Sequence, residues 1–123
     1  MGKFRDLEVW QLAMELVVYI YQLTNKQPFS KDFDLRSQIR RASVSIPSNI
    51  AEGDESGSNK MSIRYFNIAK GSSAEVQTQA EIAFKIGYIT KNDLDHLIEQ
   101  CERISKKTAN LIKFRSKNLT PKT

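Results

Sequence analysis

The sequence predicts an all-α protein, an antiparallel up-down four-helix bundle that takes up residues 1–123 as a single domain. Three observations lead there. Apolar residues recur every three or four positions through four segments, which is the repeat of one helix face. Glycine and proline number only five and three, which leaves little chain for loops. Pro28, the Asp/Gly/Ser-rich run 54–59 and Gly87 fall between the periodic segments, so the connections are short and consecutive helices run antiparallel.

The first helix is predicted over about 6–26, where Val9, Ala13, Leu16, Ile20 and Leu23 form a bundle seam. A second stripe of Trp10, Met14, Val17 and Tyr21 lies beside it, and Leu12, Val18 and Tyr19 carry apolar character further round. One bundle core cannot use all of this surface. A second buried face is implied, most simply a contact between copies of the chain in a homo-oligomer.

The second helix, about 35–53, buries Leu35, Ile39, Ala42, Ile46 and Ile50, with Asp34 placed to cap its first turn. Pro47 falls in its interior. A proline there removes one backbone N–H and crowds the carbonyl of Ser43, a defect of ~3 kcal/mol, so a kink at Pro47 is predicted. Ser43, Ser45 and Ser48 are near enough to re-satisfy freed backbone groups.

The third helix, about 60–87, is traced by Met61, Tyr65, Ile68, Val76, Ala80, Ala83 and Ile86 and stopped by Gly87. Its small central run, Ala69 to Ala74 with Gly71, is read as a close approach to a neighbouring helix. Glu75 and Gln79 are in register with Met61, Tyr65, Ile68, Ile82 and Ile86, which places a carboxylate towards the core. A buried ion pair of Glu75 with Arg40 or Arg41 is the arrangement that offsets its desolvation. The fourth helix, about 91–116, opens with Thr90 and Asp93 as a variant capping box, and Leu94, Leu97, Cys101, Ile104, Thr108 and Leu111 repeat the seam.

Charge is segregated. Residues 1–102 carry 12 Lys/Arg against 14 Asp/Glu, whereas residues 103–123 carry seven cations and no acid. Cations in the last turns of a helix interact with its dipole by ~0.3–1 kcal/mol each, but seven exceed that role and point to a polyanion such as nucleic acid. Arg36, Arg40 and Arg41 make a second basic group. The aromatic-interleaved patterns of RNA readers are missing, so contact with the backbone rather than base readout is predicted.

Other chemistries find no support. Asp93 and His96 form a D-x-x-H on one face, but His96 is the only histidine and the rest of a di-iron set is lacking, so no metal site is predicted. Cys101 falls on the apolar stripe as a buried thiol. No nucleophile with an adjacent base and no glycine-rich phosphate loop is present, so no catalytic residue, cofactor or enzymatic activity is expected. The charge-free run between Glu15 and Lys26 is shorter than the ~20 residues of a membrane span, and no leader pattern opens the chain, which predicts a cytoplasmic protein.

The stretch QIRRASVSIPSNIAEG, Gln38 to Gly53, joins the helical pattern to an arginine pair and an interior proline. With FRDLEVWQLAMELVVYIYQLT, Phe4 to Thr24, and RYFNIAKGSSAEVQTQAEIAFKIGYI, Arg64 to Ile89, it resembles the 23S rRNA intervening-sequence proteins. These form a bacterial four-helix-bundle family named for reading frames found inside large-subunit ribosomal RNA genes. The resemblance spans nearly the whole chain and implies a pentamer of bundles arranged as a tapered barrel. A related branch is similar to the accessory proteins of diversity-generating retroelements, which implies RNA or DNA and a reverse transcriptase as partners. The leading expectation is a ring-forming, non-enzymatic accessory protein that contacts nucleic-acid backbone through Arg103, Lys106, Lys107, Lys113, Arg115 and Lys117. The alternative is an oligomeric protein-interaction scaffold whose basic tail only keeps it soluble.

Overall fold

The computed structural model describes residues 3–117 and Leu119, and the described residues form helices and turns with no strand. Helix α1 spans Glu8–Thr24, α2 Phe33–Glu55, α3 Asn59–Lys85 and α4 Lys91–Lys117, with short 3-10 turns at Lys3–Asp6 and Phe29–Lys31. Consecutive helices pack on one another and α4 returns to α1, which closes a four-helix bundle. The packing is uneven: α3 lies closest to its two neighbours, and α1 touches α4 most lightly.

The helix ends follow local chemistry. Asp32, not Asp34, caps α2, accepting from the Leu35 N–H at 3.1 Å, while Asp34 accepts from its i+4 neighbour Gln38. Asp32 has a second task, accepting from the Tyr88 hydroxyl at 2.9 Å, which ties the α3–α4 turn to the start of α2. The bond from the Leu35 amide and that from Tyr88 hold the Asp32 carboxyl below its ordinary range. Ser58 caps α3 through the Met61 N–H. Gly87, at φ +88°, ends it with two paired bonds, Tyr88 N–H to the Ala83 carbonyl and Gly87 N–H to that of Phe84. Thr90 and Asp93 exchange bonds of 3.0 and 3.1 Å, so the predicted box opens α4.

Helix α2 runs unbroken through Pro47, which is itself buried. The nearby hydroxyls serve other partners: Ser43 donates to the Arg40 carbonyl, and Ser45 accepts from Asn49 and from Ser72 across the bundle.

The predicted seams of α1 and α2 are buried, and α4 buries Leu94, Leu97, Cys101, Ile104 and Thr108, with Leu111 at its margin. Helix α3 departs from expectation. Its buried line is Ser62, Phe66, Ala69, Ser73, Val76, Ala80 and Ala83: Val76, Ala80 and Ala83 are the predicted residues, whereas in the first half of the helix the line runs one residue ahead of the predicted Met61, Tyr65 and Ile68. Met61, Ile68, Ile82 and Ile86 are exposed instead. The reason is steric: small inward residues let α3 approach both neighbours, and serines then bond across the contacts. Ser72 donates to Ser45, Ser73 to the Cys101 carbonyl, and Ser105 to Ser73. Gly71, read from the sequence as a close-packing residue, is exposed with nothing near the position of a Cβ. Gly53 has that role, since a Cβ there would lie 2.5 Å from the Phe66 ring.

Candidate nucleic-acid interface

The register of α4 that buries its seam leaves Arg103, Lys106, Lys113 and Lys117 on one exposed line with Asn110. Fourteen residues at 1.5 Å each extend this line over roughly 21 Å. None of the four makes an ion pair among the described residues. Arg103 adds to the field at Glu8, whose carboxyl is held below its ordinary range mainly by the Lys107 ammonium.

Two cations grouped with these in the sequence are employed elsewhere. Lys107 Nζ donates to Glu8 Oε1 at 2.9 Å and ties α4 to the start of α1 at the surface. Arg115 turns inward. Its Nη1 donates to Ser62 Oγ at 2.6 Å and to Asn59 Oδ1 at 3.3 Å, its Nη2 lies 3.7 Å from Asp54 Oδ1, and its guanidinium sits 5.8 Å from the Phe66 ring centre. Ser62 passes the connection on by donating to the Gly53 carbonyl at 2.6 Å. With the Arg115 and Asp54 side chains only 19% and 18% exposed, Arg115 clamps the end of α4 to the α2–α3 turn. Lys122 lies outside the described residues.

The buried pair of Glu75 with Arg40 or Arg41 does not form. Glu75 is exposed, a consequence of the shifted register of α3, and it shares a shallow polar pit with Arg41 without an ion pair. Arg40 Nε donates to Thr24 Oγ1 at 2.8 Å, and its guanidinium lies 4.4 Å from the Tyr21 ring centre. Arg41 donates to Ser37 one turn earlier. Arg36 bonds the Ser30 carbonyl and stacks on Phe33. The three arginines nevertheless line one open cavity with Tyr21 and Val44.

Asp93 and His96 are likewise occupied structurally. The Tyr19 hydroxyl donates to Asp93 at 2.9 Å, and His96 packs edge-on against Tyr19. Burial and the Asp93 carboxylate push the Tyr19 phenol up to about 12. Burial acts to raise the Asp93 carboxyl, but the bonds from Thr90 and Tyr19 together outweigh it and hold the group below its ordinary range. Burial also pushes the Cys101 thiol up to about 11, which leaves it protonated and inert at neutral pH. Among the described residues no cluster of His, Cys, Asp or Glu could hold a metal ion, and no helix is long and apolar enough to cross a membrane.

This arrangement, four helices with an outward basic line on the last, can be set beside known proteins. The family model of the 23S rRNA-intervening sequence proteins matches residues 5–110. The chain belongs to this family. A crystal structure of a protein of unknown function from the S23 ribosomal protein family of Bacteroides thetaiotaomicron superposes with a TM-score of 0.78 at 28% sequence identity, covering 85% of this chain and 98% of that one. No curated protein matches. The family match stops at residue 110, so Lys113, Arg115 and Lys117 lie beyond the matched segment.

Sequence reasoning missed the outward apolar line of α3 and the inward turn of Arg115. A signal for the first was present: at seven-residue intervals Ser62 and Ala69 continue the predicted Val76 and Ala83 backwards, and Ser73 continues Ala80. No local signal marks the second, because the partners of Arg115 lie 53 to 56 positions away for Ser62 and Asn59.

Proposed function

We propose that this protein is a non-enzymatic, homo-oligomeric accessory protein that holds nucleic-acid backbone on the outer face of α4, through Arg103, Lys106, Lys113 and Lys117. The observation that carries this reading is that line of exposed cations, without carboxylate partners among the described residues. A line extending over roughly 21 Å suits successive phosphates along one groove edge rather than a single bound anion. The line carries no aromatic ring on which bases could stack and is made mainly of lysine point charges, so phosphate contact rather than base readout is its main role. The apolar surface left outside the core of α1 supports assembly of several copies, and a ring of them would multiply a weak contact into avidity.

The test is fluorescence anisotropy with structured RNA and with duplex DNA over a salt series. The wild-type protein is compared with the variant carrying Arg103→Gln, Lys106→Gln, Lys113→Gln and Lys117→Gln. Four phosphate contacts on a duplex predict a loss of affinity of roughly 100-fold between 50 and 200 mM salt, a dependence the variant should lose. Absence of binding at low salt would overturn the reading in favour of a scaffold that binds protein alone.

A further inference from the structure

Two apolar surfaces of this chain face away from its core, and they differ in shape. One is concave: a groove of about 610 Å³ between α1 and α2, with Val18, Tyr21 and Val44 on its walls and Arg40 at its side. It continues along the same helix pair past Met14 and Trp10. The other is a ridge on α3, where Met61, Ile68, Glu75 and Ile82 follow at intervals of seven residues, so that one acid, beside the polar pit it shares with Arg41, interrupts an exposed apolar line. Among the described residues, the groove offers a cation with no carboxylate partner and the ridge an anion with no ion-pair partner.

We propose that the α3 ridge of one copy seats in the α1–α2 groove of a second copy, with Glu75 of the ridge meeting the guanidinium of Arg40 in the groove. This rests on the homo-oligomer reading above and specifies how the copies mate. A helix edge with a seven-residue repeat is the shape that fills a channel between two helices. Self-pairing of either surface is disfavoured. Groove against groove brings Arg40 to Arg40 and leaves two hollows facing, while ridge against ridge brings Glu75 to Glu75. A contact between unlike surfaces passes from copy to copy until it closes as a ring or runs on as a filament.

The experiment is light scattering on purified Val18→Glu, Ile82→Lys and an equimolar mixture of the two. Both positions are open, at 54% and 44% exposure, so far-UV circular dichroism and thermal melting should match wild type. Each variant alone is expected at the mass of one chain, 14.1 kDa. The mixture is expected at twice that mass and no higher, because only the ridge of Val18→Glu and the groove of Ile82→Lys remain intact. A wild-type protein that is itself a monomer would end the oligomer reading as a whole. A wild-type oligomer that survives either substitution, or two monomeric variants whose mixture stays monomeric, would overturn the ridge-in-groove contact and leave the oligomer reading standing.

Discussion

Helix α3 and helix α1 solve the same packing problem in opposite ways. On the α3 side, serine and alanine face inward, the neighbouring helices come close, and hydroxyls of Ser72, Ser73 and Ser105 bond across the contacts. On the α1 side, Leu16, Ile20 and Leu23 fill the core while Val17, Val18 and Tyr21 remain beside an open groove. Close approach on one side requires small side chains at most of the inward positions, so Met61, Ile68 and Ile82 of α3 face outward as a ridge, while Phe66 fits inward against the bare Gly53. The bundle is therefore held mainly along α2–α3–α4, and its spare apolar surface accumulates at the groove of α1 with α2 and on the outer edge of α3.

The largest break in this contrast is expected at Phe66, which is fully buried between the α2–α3 turn and Arg115. Phe66→Ala should lower the unfolding free energy by about 3–5 kcal/mol in urea titration, because the tight side cannot relax into the space. A loss below about 1 kcal/mol would show that this region is less closely packed than the structure describes.

Within α4 the same logic separates two cations that are neighbours in sequence. Arg115→Met removes three bonding partners and leaves Asp54 without its cation, so a loss of about 1–3 kcal/mol is expected, with RNA affinity unchanged for the fraction that is folded. Lys113→Gln should do the reverse, leaving stability within about 0.5 kcal/mol of wild type and weakening RNA binding. Parallel melting and anisotropy measurements check both, and identical behaviour of the two variants would erase the distinction between clamp and surface cation.

Glycine offers a sharper comparison, since one substitution should act with opposite sign at two positions. Alanine is ordinarily better than glycine in a helix interior by about 1 kcal/mol. At Gly71, where a Cβ meets nothing within 4 Å, Gly71→Ala should therefore stabilise by about 0.5–1 kcal/mol. At Gly53 the added carbon would lie 2.5 Å from a ring carbon of Phe66, a buried side chain with no room to retreat. Overpacking of this kind costs about 1–3 kcal/mol and outweighs the propensity gain, so Gly53→Ala should destabilise.

How much of this was legible in the sequence depended on whether the deciding contact was local. The seams of α1, α2 and α4 were readable because large apolar residues recur on one face only, or as the stronger of two stripes. On α3 two heptad lines differ by a single residue; Val76, Ala80 and Ala83 of the inner one were legible, but in the first half of the helix hydrophobicity favours Met61 and Ile68 of the outer line over the inner Ser62 and Ala69. What reverses the choice is the distance between helix axes, a property of three helices at once. The same limitation hid Arg115, whose charge counts towards a basic tail in sequence and towards a clamp in space. Asp32 and Asp34 differ only by two positions, and the Tyr88 hydroxyl from the far side of the chain helps hold the first of them in place.

The smallest effect is expected at the start of α4, where the lightly packed α1–α4 contact is tied by the bond from Tyr19 to Asp93. The Asp93 carboxyl is held below its ordinary value in the folded protein. Its contribution to stability is therefore complete above the unfolded value, about 3.9, and is lost as pH falls through the lower folded value. Asp93→Asn cannot titrate, so the difference in urea midpoint between wild type and variant should be steady from pH 7 to pH 5 and shrink towards pH 3. Tyr19 gives the mirror case: its phenol is raised to about 12, so the stability it contributes is present below about 10 and is lost as pH rises through about 12. If the wild-type and Asp93→Asn curves instead stay parallel down to pH 3, the carboxylate form is not what holds α1 to α4. The open side of the bundle would then rest on its apolar contacts and the surface bond of Lys107 to Glu8.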